Sequence, residues 1–88
     1  MATIKINQVW RQADGSAWQI TALRRDGAQF WSAGSAGQSA DIDDVALQVV
    51  TNKLHRGTLR PMKSMQSVIN DALLSEIRKG AATLIQMY

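Results

Sequence analysis

The sequence predicts an α+β domain with a three- or four-stranded antiparallel sheet that begins as a β-meander. Two amphipathic helices pack on one face, in the order β-β-β-α-α-(β). Three observations lead there. Two Asp-Gly pairs, Asp14-Gly15 and Asp26-Gly27, punctuate an alternating segment that holds all three tryptophans and the only phenylalanine. Asp-Gly between such runs is a strong hairpin signal, because glycine accepts the positive φ of the turn. After Asp41 the apolar spacing changes from two to about 3.6 residues, the period of a helix. Pro61 and Gly80 then interrupt and end the helical pattern.

The first turn sets the first register. A three-residue connection, Ala13-Asp14-Gly15, places Trp10 opposite Trp18 and Gln8 opposite Ile20. It gathers Ile4, Ile6, Trp10, Trp18, Ile20 and Ala22 on one face, whereas a two-residue loop divides them between faces. The same turn at Arg25-Asp26-Gly27 sets Phe30 opposite Ala22 and directs Trp31 to the other side. Residues 32–39 form a connection of small residues, too short to separate two cores.

Ile42, Val45, Ala46, Val49, Val50 and Leu54 recur at helical spacing and predict a first helix over 41–55. Ser39 or Asp41 suits its N-cap, Asp43 and Asp44 its positive end, and Gly57 its C-terminal stop. Met65, Val68, Ile69, Ala72, Leu73 and Ile77 predict a second helix over 65–79, with Ser64 as cap and Gly80 as stop. Residues 82–88 read as a final strand or as a continuation of that helix, and Gly80 with the alternation favours the strand.

Eighty-eight residues make a single domain, 1–88, able to bury a core without covalent staples. The absence of cysteine excludes disulfides, thiol chemistry and thiolate metal sites, and fits a reducing cytoplasm. No apolar run approaches the roughly 20 residues of a membrane span, so no membrane partner is expected. A net charge of +3 leans toward acidic partners, and Lys53, Arg56, Arg60 and Lys63 lie in a stretch without acids.

Nothing in the chain assembles a catalytic constellation, so no enzyme activity and no cofactor are expected. A nucleophile needs an adjacent base and an orienting group, whereas the only histidine, His55, falls near a predicted helix end among cations. Asp41, Asp43 and Asp44 are explained by helix capping, and no metal site is expected. On the helical wheels Lys53 and Glu76 fall inside apolar stripes. Either each lies on a partly exposed final turn, or Glu76 reaches Arg24, or both mark a docking surface.

Trp10, Trp18 and Phe30 read as core, since two helices need an apolar surface to cover. The other use of aromatics on a sheet is a stacking platform for unpaired bases. Alternation assigns the opposite face Lys5, Asn7, Val9, Arg11, Gln19, Thr21, Leu23, Arg25, Gln29 and Trp31. Arginine, glutamine and asparagine read base edges, and lysine and threonine meet phosphates. In outline such a sheet resembles plant-type AP2 domains and phage integrase arm-binding domains, a resemblance of architecture. The sequence therefore predicts a small nucleic-acid-binding accessory protein, for DNA or RNA. Arg11, Gln19, Arg25, Gln29 and Trp31 would form the contact face, and Lys53, Arg56, Arg60 and Lys63 would meet phosphates. The alternative is a protein-binding inhibitor or adaptor of phage or mobile-element type, docking through Trp31, Leu23 and Val9 or the second helix. Homo-oligomerisation through an edge strand or that helix is a third expectation.

Overall fold

The computed structural model describes residues 3–25, 28–32, 39–62 and 67–87, and of residues 28–32 and 87 the backbone. In chain order the elements are β1 (Thr3–Lys5), β2 (Gln8–Arg11), β3 (Ala17–Arg25), β4 (Ala28–Ser32), β5 (Ser39–Asp41), β6 (Leu47–Leu54), β7 (Val68–Ile69), α1 (Asp71–Lys79) and β8 (Thr83–Met87). Strands predominate and the described residues contain one helix. The expectation of two helices on a three- or four-stranded sheet is therefore corrected.

The first expected helix is absent. Residues 41–55 instead complete β5, turn twice and run out as β6. The turns are built by the aspartates expected to cap a helix: Asp43 N–H donates to Asp41 Oδ1 (2.9 Å), and Ala46 N–H donates to Asp44 Oδ1 (3.0 Å). Along β6, Leu47, Val49 and Thr51 are buried while Gln48, Val50 and Asn52 are half-buried, a period of two. The β-branched run Val49-Val50-Thr51 suits that pleated conformation. Val45, which helical spacing places in the apolar stripe, is 95% exposed.

The second expected helix is shorter than 65–79. Val68 and Ile69 pair as β7 with Thr51 and Val50. Asn70, not Ser64, caps α1: its side chain accepts from Leu73 N–H at 2.9 Å. Ser64 lies outside the described residues. Gly80 ends the helix as expected, at φ 76°, with its N–H donating to Ile77 O and that of Ala81 to Glu76 O. The final strand forms as β8.

The long strand β3 organises the sheet. β6 lies antiparallel along its whole length on one edge, while β2 and β4 share the other, β2 beside Ala17–Gln19 and β4 beside Ala22–Arg25. The main path is β7-β6-β3-β2-β8, and β1 pairs separately with β5. This departs from the three-stranded outline that suggested AP2-like and integrase arm-binding domains. The first hairpin has its expected register, with Trp10 opposite Trp18. The second does not: Ala22 lies opposite Ser32 and Leu23 opposite Trp31, with an irregularity that leaves Phe30 without a partner.

A bulge at Thr21 decides which side chains face the core. Ile20 pairs with Thr51 and Ala22 with Val50, so Thr21 is an extra residue and the alternation inverts beyond it. Leu23, expected on the polar face, joins Ile4, Ile6, Ile20, Ile42, Leu47 and Val49 in the main core, closed by Leu73, Leu74 and Ile77 of α1. A smaller cluster of Val9, Ala17 and Leu54, flanked by Leu59 and Ile85, lies apart from it. The bulge makes a direct prediction. Leu23→Ala lowers unfolding stability by about 2–5 kcal/mol, the cost of a core cavity, in a denaturant titration; a loss within about 0.5 kcal/mol would restore the uninterrupted alternation.

Candidate functional site

Two loops meet at one end of the sheet. Between β2 and β3, Gln12 N–H donates to Ser16 O (2.8 Å) and Gly15 N–H to Gln12 O (2.9 Å). Gly15 takes φ 89°, the left-handed position expected of the three-residue turn. Asp14 Oδ1 accepts from both the N–H and the hydroxyl of Ser16. The second loop leaves β6: His55 N–H donates to Arg60 O and Leu59 N–H to His55 O, both at 2.9 Å, and Leu54 bridges Pro61. Leu59 has φ 58°, a conformation that costs a bulky residue about 1–2 kcal/mol. Its packing against the Val9, Ala17 and Leu54 cluster offsets that cost.

The loops are clasped by two arginines. Arg11 donates to Gly15 O (2.7 Å) and Arg56 O (3.3 Å), and Arg56 donates back to Asp14 O (2.8 Å). Contact is close enough that a Cβ on Gly15 would stand 3.1 Å from Arg56 Nη1. Beside the clasp lies an open concavity of about 790 Å³, with Arg56, Arg60, His55 and Thr58 on its wall together with the apolar Pro61 and Met62.

The electrostatics of this end follow from what the guanidinium groups bind. Both arginines satisfy N–H groups on backbone carbonyls, which hold them in place without cancelling their charge. Lys53 places its ammonium 5.7 Å from the centroid of the Trp18 ring. Two carboxylates approach, and each is engaged by other groups. Glu76 accepts from Gln12 Nε2 (2.8 Å) and Ala13 N–H (2.7 Å), while Asp14 is held by Ser16. Hydrogen bonds from the side chain and then the backbone of Ser16, followed by the charges of Arg56 and Lys53, keep the Asp14 carboxyl below the ordinary aspartate range.

No protein-family model matches this chain, and neither a curated protein nor a solved structure does. Its function has to be read from the site.

The expected site residues are divided by the fold. Arg11, Lys53, Arg56 and Arg60 come together at the clasped end. Gln19 stays in mid-sheet, opposite Val9 and Asn52 and half-buried. Arg25 ends β3, far from the clasp, and forms an ion pair with Asp44 (3.0 Å). The backbones of Gln29 and Trp31 lie in β4, and their side chains are outside the described ones; Lys63 is outside altogether. Val9 and Leu23, the apolar part of the expected docking face, are fully buried, and Leu74 is in the core.

Helix-based explanations for the charges also change. His55 and the cations around it follow a strand, so no helix C-terminus accounts for them. Among the described residues no group of acidic and histidine side chains is arranged to hold a metal ion. Glu76 bonds the hairpin and not Arg24. The sequence reading missed the approach of Lys53 to Trp18, which becomes visible only when 47–54 is read as a strand.

Folding lowers the Asp14 pKa, so this turn stabilises the fold fully above the unfolded aspartate value and loses that contribution as pH falls through the folded one. An NMR titration is expected to place the Asp14 inflection below that of an ordinary aspartate, and Asp14→Asn to flatten the acid arm of stability below pH ~4. An inflection at or above the ordinary value would remove the turn from this role.

Proposed function

We propose that this chain is a small nucleic-acid-binding protein of the cytoplasm without enzymatic activity, and that it binds through the clasped basic end, not through the polar sheet face that carries Gln19. The observation that carries this reading is the reciprocal clasp of Arg11 and Arg56. Positioning cations with neutral carbonyls keeps them available to an anionic ligand, whereas an ion pair such as Arg25–Asp44 neutralises its arginine. Arg60, on the wall of the concavity with Arg56, and Lys53, next to Leu54 at the end of β6, extend the same positive surface. With no helix end to account for them, and with Asp14 the one carboxylate among the described residues whose charge is coupled to Arg56 and Lys53, the clustered cations have binding as their simplest use.

The inhibitor or adaptor reading has less behind it, because Val9, Leu23 and Leu74 are buried and unavailable to a partner. Among the described residues no helix is long and apolar enough to cross a bilayer.

Labelled DNA and RNA, single-stranded and duplex, at about 50 mM salt test the proposal, since counterion release favours binding most at low salt. Binding is expected to weaken steeply as salt rises. Arg56→Gln and Arg60→Gln each reduce the slope of log K against log salt by about 0.7–0.9. No binding to any of these at low salt, or unchanged slopes in both variants, would overturn it.

A further inference from the structure

Directly opposed residues on neighbouring strands share a face. The registers therefore align Leu84, Trp10, Trp18 and Lys53 in one row across β8, β2, β3 and β6. This row runs beside the basic end: Trp18 bonds Ser16 of the clasped hairpin, and Lys53 O accepts from the N–H of Met62 on the wall of the concavity. Leu84 is 47% exposed, and the two tryptophans are only partly buried where they pack against the main core.

The polar atoms of both indoles are already used. Trp18 Nε1 donates to Ser16 Oγ (2.8 Å), and Trp10 Nε1 donates to Gln8 Oε1 (3.1 Å). These bonds fix the ring planes and leave ring surface as what the pair can offer a ligand. On Trp18 that surface carries the Lys53 ammonium at 5.7 Å. A ring face covered only by a lysine ammonium is one that a flat ligand can take over, and the released cation then needs an anion nearby. An unpaired nucleotide supplies both parts, a π face for the indole and a phosphate for the ammonium. A base within a duplex has its faces already stacked and cannot make this exchange.

We propose that Trp18 and Lys53 form a base-stacking step for single-stranded nucleic acid. The base occupies the Trp18 face that Lys53 covers in the free protein, Lys53 swings to the adjoining phosphate, and Arg56 and Arg60 carry the strand onward. This rests on the nucleic-acid reading above and specifies the form of its ligand.

Titrating the full chain with a labelled oligothymidine of roughly 15 nucleotides and with a duplex of equal phosphate count tests it, reading anisotropy and tryptophan fluorescence together. The expected result is saturable quenching by the single strand and an affinity about tenfold above that for duplex. Trp18→Leu removes most of the quenching and weakens single-strand binding about tenfold, with duplex affinity unchanged. Lys53→Gln leaves the indole in place and lowers the single-strand salt slope by about 0.7, which keeps the test decisive if the tryptophan variant folds poorly. Equal binding of both forms with unchanged fluorescence would overturn the stacking step while the basic-end reading stands. Binding to neither would overturn both.

Discussion

The side chain of Gln12 joins the sheet to the helix. Its amide donates to Glu76 at 2.8 Å, and its carbonyl accepts from Asn70 Nδ2 at 3.0 Å. Asn70 caps the start of α1, and Glu76 receives the C-terminal cap bond from Ala81. One amide thus ties the β2–β3 hairpin to both ends of the helix. Glu76 reinforces the tie through the N–H of Ala13 at 2.7 Å. Hydrogen bonds to an ionised group are worth about 1.5–3 kcal/mol each, and losing one partner leaves the half-buried carboxylate poorly solvated. The placement of the helix against the hairpin, and with it the closure of the core, depends on this knot.

The basic end inherits its order from the same place. A hairpin tip held by α1 on one side presents Gly15 O and Asp14 O to Arg11 and Arg56 on the other. The second loop is then fixed by the clasp and by Leu59, whose left-handed backbone is held by packing on the small cluster. Cations so positioned need not be ordered by the ligand, which reduces the entropy cost of binding. Glu76 and Asp14 shape the tip through hydrogen bonds to the hairpin and form no direct ion pair with Arg11 or Arg56, while the Asp14 charge still attracts Arg56 and Lys53.

The parts of the fold legible in the sequence are those fixed by local chemistry. Asp14-Gly15 specified its turn because few residue pairs satisfy that backbone, and Gly80 specified the helix stop for the same reason. What misled was periodicity. Ile42, Val45, Val49 and Leu54 match a helical stripe by coincidence of spacing, and only the β-branched run Val49-Val50-Thr51 pointed to the strand that forms. The Thr21 bulge carries no sequence mark, yet it exchanges Leu23 and Arg25 between faces. The expected binding face is divided also by distance along the strands, with Arg11 at one end, Gln19 in mid-sheet and Arg25 at the other. Lys53, Arg56 and Arg60, expected as phosphate contacts, stay together at the end of β6, and Arg11, expected on the sheet face, joins them through the carbonyls of Gly15 and Arg56.

The dependence of hairpin and helix on one another is tested most directly by a double-mutant cycle between Gln12 and Glu76, with unfolding stability measured for Gln12→Ala, Glu76→Ala and the pair. Shared hydrogen bonds predict a coupling of about 1 kcal/mol or more. Additive losses, within about 0.3 kcal/mol, would mean that the helix and the hairpin hold their positions independently and would contradict the account.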